Sequence, residues 1–271
     1  MLPPFEKVYP VFVIQLCEVE QWLDRLYIAA DGAGLRLEDR RKAREAAAIL
    51  EEIERAIARF SRRSSLVLID AAAGKSCVGL LSAKLVLDPN SRRATVITIE
   101  RDSKRVQAGL RAVQRLNSST PIECRIADLA ACEAWPRGIS IVAALHACGP
   151  AADTVIQQTI AARARQLLLV PCCTSGALPS AVRAKAQAER VGIPRHAPVR
   201  RRFIQAMVDA ERTWRLEAAG YETEVVEFVP PTVTPHNLLW RARLVGEPRR
   251  MKAAQQELEK LTSKTQRFQE T

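Results

Sequence analysis

The amino-acid sequence predicts an α/β protein built on a mostly parallel seven-stranded sheet, with an antiparallel strand pair at its C-terminal end and a cap of helices before the first strand. Three observations predict it. Between Leu66 and Cys173, short runs rich in Val, Ile and Leu alternate with helical stretches of about a dozen residues, the pattern of βαβ units covered on both faces. The last two strand-like runs, "YETEVVEFV" and "NLLWRARLV", are joined only by "PPTVTPH", a connection short enough for an antiparallel pair. Ahead of all of them lie two stretches with the period of an amphipathic helix.

The elements follow in order. Leu16, Val19 or Trp22, Leu23, Leu26 and Tyr27 recur at three and four within a first helix over Val13 to Ala30, which "DGAG" ends. A second helix runs from about Leu37 to Phe60, where Ala46, Ile49, Leu50, Ile53, Ala56, Ile57 and Phe60 make one apolar stripe opposite a Glu and Arg face. After "SRRSS", Leu66 to Asp70 is a strand, Cys77 to Leu87 a helix, Ala94 to Glu100 a strand and Ser103 to Leu116 a helix. Pro121 to Asp128 and Ile139 to Ala147 are strands, Ala151 to Ala164 a helix, and Gln166 to Cys173 a further strand. A long helix then reaches about Ala219, ahead of the strand pair. The expected organisation is a helical cap over residues 1–62, the sheet domain over 63–246 and a polar helical tail over 247–271, frayed or serving as a partner-binding arm.

Composition narrows the function. The opening residues carry acids within and just after their apolar run, so neither a secretory core nor a membrane-spanning helix is expected, and a cytoplasmic chain follows. Seven cysteines without a small secreted framework predict reduced thiols. The net charge of +11 is uneven: nine basic residues face three acidic ones between Arg183 and Arg215, including the run Arg200, Arg201 and Arg202. From Arg241 onward the balance is eight to four. A polyanionic partner such as RNA fits this distribution, and a solubilising Arg-rich surface is the plainer alternative.

The turn after the first strand, "DAAAGKS" from Asp70 to Ser76, carries the chemistry. A Walker A loop would place its first glycine at Ile69, inside the strand, so the wrapping loop is too short for a nucleoside triphosphate. A Rossmann-like turn fits better: Ala71, Ala72 and Ala73 make the bend, Gly74 and Lys75 lead into the helix, and small residues let the backbone approach a ligand. Glu100 ends the second strand, where an acid accepts from ribose hydroxyls, with Arg101 beside it. Asp128 ends the third, where a carboxylate accepts from an adenine amine, with Leu129 next to it. His146 ends the fourth. All lie at carboxyl ends of strands, where open α/β sheets bind ligands. NAD(P) stays open on these residues alone, although G-x-G-x-x-G is absent.

On "DAAAGKS", on "LHACG" at Leu145 to Gly149 with Asp153 after it, on "PCC" at Pro171 to Cys173, and on "VEFVPPTVTPHNLLWRA" at Val226 to Ala242, the chain resembles the class I S-adenosylmethionine-dependent methyltransferases. Within them it is similar to the branch that includes the methyltransferase-like-25 group and the tRNA acceptor-stem 2'-O-methyltransferases. The resemblance covers about Leu66 to Val245 and implies S-adenosylmethionine as cofactor, held by Asp70, Ala71, Ala72, Gly74, Lys75, Glu100, Arg101, Asp128 and Leu129. The chain departs from the family's D-x-G-x-G-K-G at Ala72, where a methyl group stands in place of glycine and the bend is expected at negative φ. Thr174 and Ser175 follow the cysteine pair, where several relatives have an aromatic residue or His.

Methyl transfer from a sulfonium is an in-line displacement that needs a base only when the nucleophile must lose a proton. Imidazole titrates near neutrality, which makes His146 the candidate for that task, or else a strand-end residue bonded to a neighbouring loop. His146, Cys148, Cys172 and Cys173 also resemble a soft-metal set, but adjacent strand residues point to opposite faces and no metal is assigned. Cys172, Cys173 and Asn237 are read instead on the substrate side, together with Arg200, Arg201 and Arg202 for an RNA acceptor; packed thiols and a plain turn are the alternatives. A non-catalytic nucleotide-binding or RNA-binding module with the same fold is the rival function.

Overall fold

The computed structural model describes residues 14–29, 33–171, 173–196 and 198–266. Val13 and Ala30 at the ends of the first predicted helix, and Cys172, lie outside them. Helix α1 (Leu16–Leu23) continues in wider π-helical turns over Asp24–Ile28, and α2 spans Leu37–Ala58. The alternation that follows is β1 (Leu66–Ala71), α3 (Cys77–Leu81, with π-helical turns over Ser82–Leu87), β2 (Ala94–Glu100), α4 (Ser103–Leu116), β3 (Ile122–Ile126), β4 (Ile141–Leu145), α5 (Pro150–Ala161) and β5 (Gln166–Val170). Then come α6 (Pro179–Arg190), α7 (Pro198–Ala218), β6 (Tyr221–Glu227), β7 (Leu238–Leu244) and α8 (Pro248–Gln266).

The seven strands form one sheet in the order β3-β2-β1-β4-β5-β7-β6. β1 to β5 are parallel, while β7 runs antiparallel to both β5 and β6. The chain therefore reverses its direction of travel across the sheet between β1 and β4, which opens a crevice at their carboxyl ends.

Period-two alternation feeds two cores. Leu66, Leu68, Val96, Ile141, Ala143 and Leu168 point to the face covered by α1, α2 and α3, where they meet Ile49, Leu50 and Ile53. Their neighbours Ile69, Ile97, Ile99, Val142, Ala144, Leu167 and Leu169 point to the other face, against Val155, Ile156, Leu216 and Trp240. The apolar stripe of α2 lies on β4 and β5 and packs against α1 and α3 beside it. Residues 248–266 of the tail form helix α8, docked on α7 with Ala254 buried, and residues 267–271 lie outside the described residues. Among the described residues no helix is long and apolar enough to cross a membrane.

Candidate active site

The turn after β1 is held in a left-handed conformation three times in five residues: Ala72 at φ 56°, Gly74 at 57° and Ser76 at 68°. Ala72 thus contradicts the negative φ expected of an alanine there. The conformation is imposed from outside: the Ala73 N–H donates to Ile99 O on β2 (3.0 Å), and Ser76 Oγ, fully buried, bonds Thr98 Oγ1 (3.0 Å). Two glycines let the neighbours close in. A Cβ on Gly79 would lie 2.8 Å from Thr98 Cγ2, and one on Gly109 would lie 2.8 Å from Ser76 Oγ. Above Gly74 a Cβ would meet nothing within 4 Å, so the space over the turn is open.

Asp70 does not face that space. Its place in β1 turns it to the α2 and α3 side, where it is 2% exposed and accepts the Gly79 N–H at 2.8 Å. Burial pushes its carboxyl up to about 7, against the Gly79 hydrogen bond and with a smaller push from Glu100. It therefore anchors the start of α3 beneath the turn and corrects the expectation of a ligand contact. Ala71, fully buried in the opposite core, is likewise structural.

Glu100 is the carboxylate that reaches the turn. It is 8% exposed, and its two oxygens are braced separately, Oε2 by the Gly74 N–H (2.9 Å) and Oε1 by the Asp102 N–H (3.0 Å). Each oxygen keeps a further lone pair for another donor. Arg101 and Lys75 beside it are exposed. The Ala127 N–H donates to Glu100 O (3.0 Å), which ties the ends of β2 and β3 and brings Asp128 alongside. Asp128 is exposed and accepts the Ala130 N–H through Oδ1 (2.8 Å), while the Leu129 carbonyl accepts the Trp135 indole N–H (2.9 Å).

His146, at φ 62°, turns back toward α2 as β4 ends. Its Nε2 lies 2.8 Å from Glu45 Oε2; the Glu45 side chain is 6% exposed and the His146 side chain 40%. Glu45 was not among the residues singled out from the sequence. Tyr27, read from the sequence only as part of an apolar stripe, donates its hydroxyl to Lys75 O at 2.9 Å across the turn after β1. Burial first, with nearby acidic groups, pushes the Tyr27 phenol well above its usual range, so it stays a donor. Both helices ahead of the sheet thus reach its carboxyl edge.

The substrate-side residues separate. Arg201 and Arg202 are exposed, but Arg200 is buried: its guanidinium donates to Ile193 O (3.1 Å) and pairs with Glu189 (2.8 Å), locking α7 to the end of α6. Successive helical residues diverge by about 100°, so one of three consecutive arginines points inward. Asn237 is also buried, donating to Val229 O (2.9 Å) to close the β6–β7 connection. Both are corrections to the substrate-side reading. Cys17, Cys77, Cys124, Cys132 and Cys173 are free, with Cys17, Cys132 and Cys173 exposed, whereas Cys148 is disulfide-bonded and departs from the expectation of reduced thiols. Its loop is held at the edge where the register sets Leu145 beside Val170. Asp153 holds no ligand-side position; it pairs with Arg212 (3.0 Å) and Arg215 (2.8 Å) of α7. Among the described residues, no three His, Cys, Asp or Glu side chains gather as metal ligands.

A family model described as a methyltransferase domain matches residues 41–177. Among solved structures, the SAH-bound magnesium protoporphyrin IX methyltransferase of Synechocystis PCC 6803 is 12% identical, with 85% of this chain and 99% of that one covered and a TM-score of 0.45. An SAH-bound methyltransferase of Podospora anserina is 11% identical, with 85% and 87% covered and a TM-score of 0.47. No curated protein matches. The family match spans just over half of the 271 residues and takes in the turn, Glu100, Asp128, His146 and Glu45, and with it the chain belongs to the methyltransferase-domain family, as a class I S-adenosylmethionine-dependent enzyme.

Proposed function

We propose that this methyltransferase modifies an RNA hydroxyl, within the branch that includes the methyltransferase-like-25 group and the tRNA acceptor-stem 2'-O-methyltransferases. The residues present fit the cofactor. The open space over Gly74, the remaining lone pairs of the braced Glu100 carboxylate and the exposed Asp128 carboxylate lie along one edge, able to receive a ribose and an adenine amine. When bound, S-adenosylmethionine supplies an electrophilic methyl group.

The observation that carries the reading is the His146–Glu45 pair on the same edge. A sugar hydroxyl is a weak nucleophile until its proton is withdrawn, and an imidazole held by a buried carboxylate is oriented to take that proton. Glu45 acts through His146, fixing the ring and stabilising the imidazolium that forms; the structural relation is that of a positioning carboxylate to a general base. The net charge of +11 and the exposed Arg201 and Arg202 support a phosphate-bearing acceptor.

Calorimetric titration with S-adenosylmethionine, ATP and NAD tests the cofactor, followed by transfer of labelled methyl groups to unmodified tRNA, other RNA and protein fractions. Binding of S-adenosylmethionine alone and label in RNA are the expected results. Asp128→Ala separates an enzyme from a binding module: it should abolish transfer and leave any RNA retention by the arginines in place. Label in protein only, or RNA binding without transfer, would overturn the proposal.

A further inference from the structure

We infer that the exposed cations near the start of α2, Arg41, Lys42 and Arg44, form a phosphate-gripping flank of the acceptor site and bind RNA; the inference rests on the RNA reading above. The geometry starts from Glu45, whose carboxylate touches His146 at 2.8 Å and so fixes this part of α2 at the catalytic edge. Arg41 lies one helical turn before Glu45, on the same side of the helix. Arg44 adjoins Glu45 in sequence, and both arginines are exposed. Lys42, next to Arg41 in sequence, diverges from it by about 100° around the helix and sits 3.7 Å from Asp39. Arg41 therefore stands on the His146 side of α2, with Lys42 and Arg44 to either side of it around the helix.

The acids on this end of the helix leave these cations largely unneutralised. Asp39 is occupied with the Arg36 N–H (3.1 Å) and sits 3.7 Å from Lys42, which stays 63% exposed. Glu38 is exposed in the first turn. Arg41 and Arg44 form no ion pair among the described residues. Elsewhere Arg200, Arg212 and Arg241 each hold a carboxylate.

The chemistry of the ligand follows from where the second flank lies. The Thr174 hydroxyl, just beyond β5, bonds the Gln205 side chain on α7, and Arg201 lies one turn before Gln205 on that face. Arginines thus stand near His146 on α2 and near the end of β5 on α7. A ligand reaching both must be long and charged along its length, and the guanidinium fork matches phosphate oxygens. A nucleic-acid backbone has both properties.

The experiment measures binding of unmodified tRNA by fluorescence anisotropy over a salt series, for the whole protein, for the triple variant Arg41→Ala, Lys42→Ala, Arg44→Ala, and for a charge-matched control. The control, Arg137→Ala, Arg163→Ala, Arg165→Ala, removes three exposed cations from the loops ahead of β4 and β5, at the opposite edge of the sheet. Each lost phosphate contact should lower the slope of log K against log salt by about 0.7–0.9, so the α2 variant should lose about two units of slope and roughly tenfold or more in affinity. The control should change neither, and S-adenosylmethionine binding should be equal in all three proteins. Equal losses in variant and control would overturn the α2 assignment while leaving the RNA reading standing. No binding of tRNA by the unaltered protein would overturn both. Displacement of tRNA by polyglutamate as effective as by unlabelled RNA would show a general anion surface and overturn the assignment to nucleic acid.

Discussion

Replacing Asp70 with Asn should flatten the pH dependence of stability. Asp70 is buried beneath the turn after β1, and burial, opposed by the Gly79 N–H and reinforced by Glu100, raises its carboxyl from 3.8 to about 7. A raised folded-state value means that the native protein holds a proton the unfolded chain has already released. Stability from this group is therefore complete below about pH 4, falls as pH rises toward 7, and is level above it. The interval is about three units, and at ~1.4 kcal/mol per unit the ceiling is ~4 kcal/mol; relaxation around an ionised carboxylate reduces the working figure to about 2 kcal/mol. Asn keeps a carbonyl oxygen to accept the Gly79 N–H and carries no charge at any pH. Urea unfolding of both proteins at pH 4.5, 6 and 7.5 gives the difference directly, because every other titrating group is common to the two. The stability of Asp70→Asn relative to the unaltered protein should climb by about 2 kcal/mol across the series. Parallel stability curves would refute the buried, proton-holding Asp70.

Three further outcomes are expected. Gly79→Ala places a Cβ 2.8 Å from Thr98 Cγ2 and 3.2 Å from Asp70 Cβ, and overpacking of this kind should lower stability by about 1–3 kcal/mol in thermal unfolding. Ala72→Gly removes a left-handed alanine at φ 56°, a relief of about 1–2 kcal/mol offset by about 0.4–1 kcal/mol of unfolded-chain entropy; a small net gain in melting temperature should result. His146→Ala should reduce methyl transfer to tRNA by about 10²–10⁴ with S-adenosylmethionine affinity unchanged, Glu45→Gln should reduce it less, and the double variant should be no slower than His146→Ala.

The sheet was legible because strands buried on both faces have to be apolar and short, and helices between them have to repeat at three and four. The positions of Glu100, Asp128 and His146 at strand ends followed from the same periodicities. Which way an acid at a strand end points did not. Asp70 and Glu100 both close strands, yet Asp70 lies under α3 while Glu100 reaches the turn, a distinction set by register and by the close packing at Gly79. A cluster of basic residues likewise reads as surface until helical phase is considered, and phase is what buries Arg200. Glu45 left a trace that was readable. It borders the apolar stripe of α2 between Ala43 and Ala46, and Glu52 stands seven residues on; both carboxylates are buried, the second paired with Arg241 of β7. Acids one heptad apart on the edge of an apolar stripe signal partners across an interface.

The strained backbone explains why the helices ahead of the sheet belong to the site. Ala72, Ser76 and His146 hold positive φ without being glycine, and Gly74 and Gly149 share that region; all five follow β1 or β4, which are neighbours in the sheet. A left-handed conformation costs a non-glycine residue about 1–2 kcal/mol, so the native structure has to supply contacts that hold each one. They come from different elements: Ile99 on β2 holds Ala73, Glu100 holds Gly74, Thr98 holds Ser76, Tyr27 holds Lys75, and Glu45 holds His146. Two of these supports come from the N-terminal helices. Loosening α1 or α2 therefore releases the turn and the histidine, although the sheet behind them keeps its two cores. Function should then fail before the fold does: a Tyr27→Phe, Glu45→Gln protein should bind cofactor and turn over more weakly while its unfolding remains a single cooperative transition.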